Sequence, residues 1–193
     1  MPISIIKKLF GTEDKKLDKG VHNNIIKNTA KKIFSPYGLK QKGHSRSFIY
    51  DNNWWIILVE FQPSGWGRGT YLNVGCNWLL YERDSFAYDY GYRQKGFIEF
   101  ENESQFTKEC IKLANLALNK VKECNKVFPN IKQIYKHVIK DIDNNNIWGT
   151  YYAAVLSGLV GDKERASTCF NIIKEYKAQW DWEIAVKKAS KKL

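Results

Sequence analysis

Residues 61–78 read FQPSGWGRGTYLNVGCNW, and the way this run folds decides the architecture of the chain. Gly65, Gly67 and Gly69 surround Trp66 and Arg68, a composition that suits either a phosphate-cradling loop or a hairpin turn. A phosphate cradle follows a strand and opens a helix, so that backbone N–H groups and the helix dipole face the anion. Here the glycines lie between two alternating runs, WWIILVEFQ before them and TYLNVGCNW after. That is hairpin context, with all three glycines expected to supply positive φ.

The alternation assigns faces. Trp55, Ile57, Val59 and Phe61 share one face with Leu72, Val74, Cys76 and Trp78. Trp54, Ile56, Leu58, Glu60 and Gln62 share the other with Tyr71, Asn73, Gly75 and Asn77. Clean period-two patterning of this kind marks an antiparallel sheet with one solvated face. Upstream, SRSFIYD puts Arg46, Phe48 and Tyr50 on one face, LKQKG is a short strand, and Asp51-Asn52-Asn53 is a turn. Downstream, ERDSFAYDYGYRQKG reads as a polar, tyrosine-rich connection, and FIEFEN adds a further strand.

Helical spacing frames the strands. Ile25, Ile26, Ala30 and Ile33 predict a helix from Val21 to Phe34, closed by Ser35-Pro36-Tyr37-Gly38. From Ser104 the apolar stripe Phe106, Cys110, Leu113, Ala117, Val121, Cys124 predicts another, interrupted at Pro129 before the stripe Ile131, Ile134, Tyr135, Val138, Ile142. WGTYYAAVLSGLVG and DKERASTCFNIIKEYKAQW then form an antiparallel pair joined at Gly161-Asp162, and EIAVKKASKKL closes the chain as a short helix. The G-D-x-x-x-A-x-x-x-F spacing in GDKERASTCF is that of a tetratricopeptide second helix, but a solenoid needs about three copies and only one is present.

The expected fold is α+β: an antiparallel sheet of four to six strands, an N-terminal helix, and helices from residue 104 onward packed on one face. Residues 1–20 read as an arm and linker, 21–145 as the core domain, and 146–193 as a helical hairpin extension. Ile3, Ile5, Ile6, Leu9 and Phe10 with Lys7 and Lys8 suit a docked first turn better than a membrane-surface helix. No apolar run is long enough for a transmembrane segment, and no signal peptide is evident.

Composition narrows the function classes. Cys76, Cys110, Cys124 and Cys169 form no C-x-x-C pair, and with scattered His22, His44 and His137 they suggest neither a metal site nor a disulfide framework. Reduced thiols point to a cytoplasmic location. The net charge of +11 divides unevenly, with +8 in residues 1–50, −3 in 51–102 and +6 in 103–193. Aromatic and basic residues are therefore separated along the chain, which disfavours a stacking nucleic-acid groove and leaves lysine-rich helices as the alternative. No nucleophile elbow, zinc-protease helix, P-loop or dinucleotide fingerprint occurs, so no catalytic residue and no cofactor is nominated. Ser64 lacks a neighbouring base, and Glu60, Glu82 and Asp84 suit surface acids better than an acid/base set.

A family resemblance rests on residues 38–76. Gly38-Leu39-Lys40-Gln41-Lys42-Gly43, Phe48, Trp55, Phe61-Gln62, Ser64, Trp66, Leu72-Asn73 and Gly75 resemble the motif of bacterial domain-of-unknown-function family 4304. Leu39 and Leu72 stand where that family usually has phenylalanine, and the likeness spans about residues 21–140. It implies fold kinship and no established activity. Some relatives occur in settings that suggest immunity to toxins or phage defence.

The candidate recognition surface is the polar sheet face, with Glu60, Gln62, Tyr71, Asn73 and Asn77 on it and Trp66 and Arg68 at its rim. The expected function is non-enzymatic binding of another protein, immunity-like in character. The alternative is a small-ligand or enzyme pocket between sheet and helices around Gln62, Arg68, Asn73 and Tyr81.

Overall fold

The computed structural model describes residues 20–81, 86–140 and 146–175. The N-terminal segment 1–10, Glu82, Asp84, Ile142 and the closing EIAVKKASKKL lie outside the described residues. Five strands form one antiparallel sheet in the order β1-β2-β3-β4-β5, with β1 at Lys40–Gln41, β2 at Ser47–Asp51, β3 at Trp55–Gln62, β4 at Gly69–Trp78 and β5 at Tyr90–Glu99. Helix α1 (Val21–Phe34) precedes the sheet. Helices α2 (Glu103–Val127), α3 (Ile131–Val138), α4 (Ile147–Val160) and α5 (Lys163–Glu175) follow it. The chain is an α+β protein.

Each local boundary has a physical cause. Helix α1 passes into a short 3-10 turn over Ser35–Tyr37 and stops at Gly38, which adopts φ 81°. The β2–β3 turn places Asn53 at φ 67°, its N–H held by Asp51 Oδ1 at 2.8 Å. Asn102 caps α2 through the Gln105 N–H at 2.9 Å, and Asn146 caps α4 through Trp148 N–H and Gly149 N–H.

The helix-facing side of the sheet is the core. Phe34 of α1 meets Phe48 edge-on at 5.1 Å, and Phe48 meets Phe61 at 6.3 Å. Phe106, Cys110, Leu113, Ala117, Val121 and Cys124 of α2 are all buried against it, as their spacing requires. Phe128 closes one corner against Trp78 at 5.0 Å and Tyr90 at 4.9 Å. Tyr151, Ala153, Ala154 and Leu156 of α4, with Phe170 and Ile173 of α5, belong to the same continuous cluster. Among the described residues no helix is long and apolar enough to cross a membrane.

Three features differ from the sequence expectations. Strand β5 begins at Tyr90, so YGYRQKG, read above as connection, is ladder. As the edge strand it is largely exposed, and its register shifts near Leu72 and Asn73 break the alternation that would reveal it. Of the three turn glycines only Gly69 has positive φ, at 152°. Finally, the face opposite the helices is not uniformly solvated. Ile56, Leu58, Asn73 and Asn77 on it are buried, Asn77 to 1% exposure.

Candidate functional site

The β3–β4 ladder sets Glu60 opposite Asn73 and Gln62 opposite Tyr71 on the outer face, and β5 adds Arg93 beside Asn73. Directly paired residues in an antiparallel ladder project to the same side, so four polar side chains meet. Asn73 Nδ2 donates to Glu60 Oε2 and to Gln62 Oε1, each at 2.9 Å. Arg93 Nη2 donates to the same Gln62 oxygen at 2.8 Å, and Arg93 Nε reaches Asn73 Oδ1 at 3.4 Å. The Glu60 carboxylate and the Arg93 guanidinium are thus joined through two amides rather than by direct contact.

Aromatic rings continue this network toward the turn. The Arg93 guanidinium lies 4.0 Å from the centre of the Tyr71 ring, and Phe97 packs on Tyr71 at 5.2 Å. Phe97 in turn lies where a Cβ on Gly69 would stand, at 2.7 Å, which explains the glycine there. Beyond it the β3–β4 turn presents Trp66, whose side chain is 100% exposed. Ser64 Oγ accepts the Trp66 N–H at 3.1 Å and fixes the turn that projects it.

The other half of this face is covered by chain. Tyr88 lies over Gly75, so close that a Cβ on that glycine would stand 2.6 Å from its ring. Its hydroxyl points to Glu60 Oε2 at 3.5 Å, and burial beside that carboxylate pushes the phenol pKa well up. Lys42 sits 4.2 Å above the Phe86 ring. Asp89 accepts from Asn77 Nδ2 and from the Trp78 N–H, both at 2.7 Å, and from the Tyr152 hydroxyl at 3.2 Å. These contacts bury Asn77 and leave the Trp66 half of the face open.

The expected site residues therefore fall into three groups. Glu60, Gln62, Tyr71 and Asn73 converge, Trp66 and Arg68 stand at the turn, and Asn77 is engaged by Asp89. The pocket drawn through Gln62, Arg68, Asn73 and Tyr81 does not form. Tyr81 follows the far end of β4 and packs on Trp148 at 5.1 Å, while Arg68 precedes its near end. A ten-residue strand keeps them apart by about 30 Å at 3.3 Å per residue. Tyr88, Asp89 and Arg93 complete the surface from a segment that sequence alternation did not assign to the sheet, and Phe97 joins them from FIEFEN, the run read as a further strand.

Among the described residues no group of three or more His, Cys, Asp or Glu is placed to hold a metal ion. His137 packs edge-on against Tyr90 and Phe128, at the opposite end of the sheet from Ser64. No family model, no curated protein and no solved structure matches this chain.

Proposed function

We propose that the chain is a non-enzymatic protein-binding module whose docking surface is the open half of the outer sheet face and the β3–β4 turn. The observation that carries this reading is Trp66, fully exposed at the tip of a turn that a side-chain hydrogen bond holds in shape. A large indole left wholly in water is unfavourable for the free protein and characteristic of an interface anchor. Around it, Tyr71, Phe97 and Arg93 give aromatic and guanidinium area already fixed by mutual contact. Little ordering entropy is then lost on docking.

A protein partner suits this surface better than a single-stranded nucleic acid. Stacking of successive bases needs several open ring faces, and beside the single exposed indole of Trp66 the Tyr71 ring is packed by Arg93 and by Phe97. The Glu60 carboxylate would also repel a phosphate backbone. Kinship with domain-of-unknown-function family 4304, a bacterial cytoplasmic setting and an immunity-like role belong to the same proposal, resting on the motif residues around this turn.

The test is calorimetric titration of a partner recovered by co-purification. Trp66→Ala is expected to lower its affinity by about 30-fold or more. Unchanged affinity in both Trp66→Ala and Arg93→Ala would overturn the assignment. So would binding that is sensitive to nuclease and falls steeply with salt, which belongs to nucleic acid.

A further inference from the structure

On the helix-facing side of the sheet, at the base of the same hairpin, three basic side chains gather, and none forms a salt bridge among the described residues. Arg46 continues the β2–β3 ladder, its carbonyl accepting the Phe61 N–H at 3.0 Å. Its Nη1 donates to the Gly69 carbonyl at 3.2 Å, whereas Nη2 is buried with no hydrogen-bond partner. The preceding residue, Arg68, is exposed, and its carbonyl accepts the Phe100 N–H at 2.9 Å. The His22 ring, from the first turn of α1, lies 6.0 Å from the Phe100 ring. Backbone and ring contacts therefore bring His22, Arg46 and Arg68 to one corner.

None of the three forms an ion pair among the described residues. Glu60, the acid that most favours the Arg46 charge, projects to the other face of the sheet, where it is bonded to Asn73. Burial and the two arginines together hold the His22 pKa below its ordinary range, as expected of a site with excess positive charge. A partly buried cation with an unpaired nitrogen and two cationic neighbours is unfavourable on its own and is relieved by an anion.

We propose that His22, Arg46 and Arg68 form a binding site for a small oxyanion of the phosphate class. Arg68 and His22 supply the contacts at the surface. Arg46, lying beneath, acts through its charge. The ligand is either the free ion or the terminal group of a larger phosphomonoester. Arg68 stands in the turn that the docking surface also uses, whereas His22 and Arg46 lie on the opposite side of the sheet from the outer-face network, and phosphate binding by the free chain does not depend on the protein-binding role.

The experiment is titration of the full chain with inorganic phosphate and with glycerol phosphate, followed by calorimetry and by thermal unfolding. Wild type is expected to show saturable binding and a matching rise in Tm. Arg68→Ala, an exposed change, is expected to weaken it at least about tenfold, the loss of one charge-assisted hydrogen bond. Arg46→Met is expected to weaken it similarly, yet to be as stable as wild type or more so without phosphate, because it removes an unpaired cation. A merely structural arginine would give the reverse. Tighter binding of the monoester identifies a larger ligand, and equal or weaker binding identifies the free ion; either upholds the site. Absence of saturable binding, or the same response in wild type and Arg68→Ala, would overturn it.

Discussion

Asn73 stands directly opposite Glu60 across the β3–β4 ladder and donates to its carboxylate at 2.9 Å, while the same amide nitrogen holds Gln62. One nearly buried amide thereby sets the positions of an acid, a second amide and, through Gln62, Arg93. Asn73→Ala is expected to cost about 1 kcal/mol in urea unfolding, since it removes the donor shared by two half-buried acceptors. Adding Glu60→Ala to that variant should cost much less than Glu60→Ala alone costs in wild type. Additive losses would show that the two side chains do not act together.

Gly75 and Gly91 face each other across β4 and β5, and a Cβ on Gly91 would come within 2.5 Å of the Gly75 Cα. A Cβ on Gly75 would meet the Tyr90 carbonyl oxygen at 2.3 Å. Neither neighbour is a flexible side-chain end, so the strands must part. Gly75→Ala is expected to lower stability by about 1–3 kcal/mol and to increase exchange of the β5 amides. A variant with wild-type Tm would contradict the close approach.

Asp89 fastens the end of β4 through Asn77 and the Trp78 N–H and reaches α4 through Tyr152. Asp89→Ala is expected to cost about 1.5–3 kcal/mol, the range for a hydrogen bond to a charged group. Hydrogen exchange at the Trp78 amide should rise more than at Val74, which lies further from the lost contact. Uniform change along β4 would argue against this role.

Burial pushes the Tyr151 hydroxyl from 10.0 and the Cys110 thiol from 9.0, each up to about 12. Both groups hold their protons more tightly folded than unfolded, so their contribution is intact below the unfolded values and is lost as pH rises toward 12. Stability measured in urea should therefore decline from about pH 9 upward. Tyr151→Phe removes one of these titrations and should make the decline shallower above pH 10. An unchanged profile in that variant would contradict the assignment of Tyr151.

The parts of the fold legible in the sequence are those with two distinct faces. Strands β3 and β4 alternate because one face meets α2, and α1 ends where Pro36 and Gly38 force it to. The end of strand β5 could be read in FIEFEN, but its first seven residues were not legible because Arg93, Lys95 and Gly96 sit on an exposed edge where burial imposes no alternation. The polar residues of the site could be read from β3 and β4, but their partners could not. Tyr88, Asp89 and Arg93 reach Glu60, Asn77 and Gln62 across 28, 12 and 31 residues, and no local pattern encodes such pairings. For the same reason the burial of Asn77 was hidden, since it depends on a segment that returns over the sheet.

Photo-crosslinking from the turn tests the binding surface most directly. A photoreactive residue is placed at Trp66, and in a second protein at Ile111, an exposed apolar position on α2. Both are irradiated in extract of the source organism, and the adduct is identified and then competed with unlabelled wild-type protein. The expected result is one recurrent protein adduct from position 66, suppressed by wild type and not by Arg93→Ala, with none from position 111. Equal adducts from both positions, or adducts at position 66 that wild type does not suppress, would contradict the assignment of this face as the docking surface.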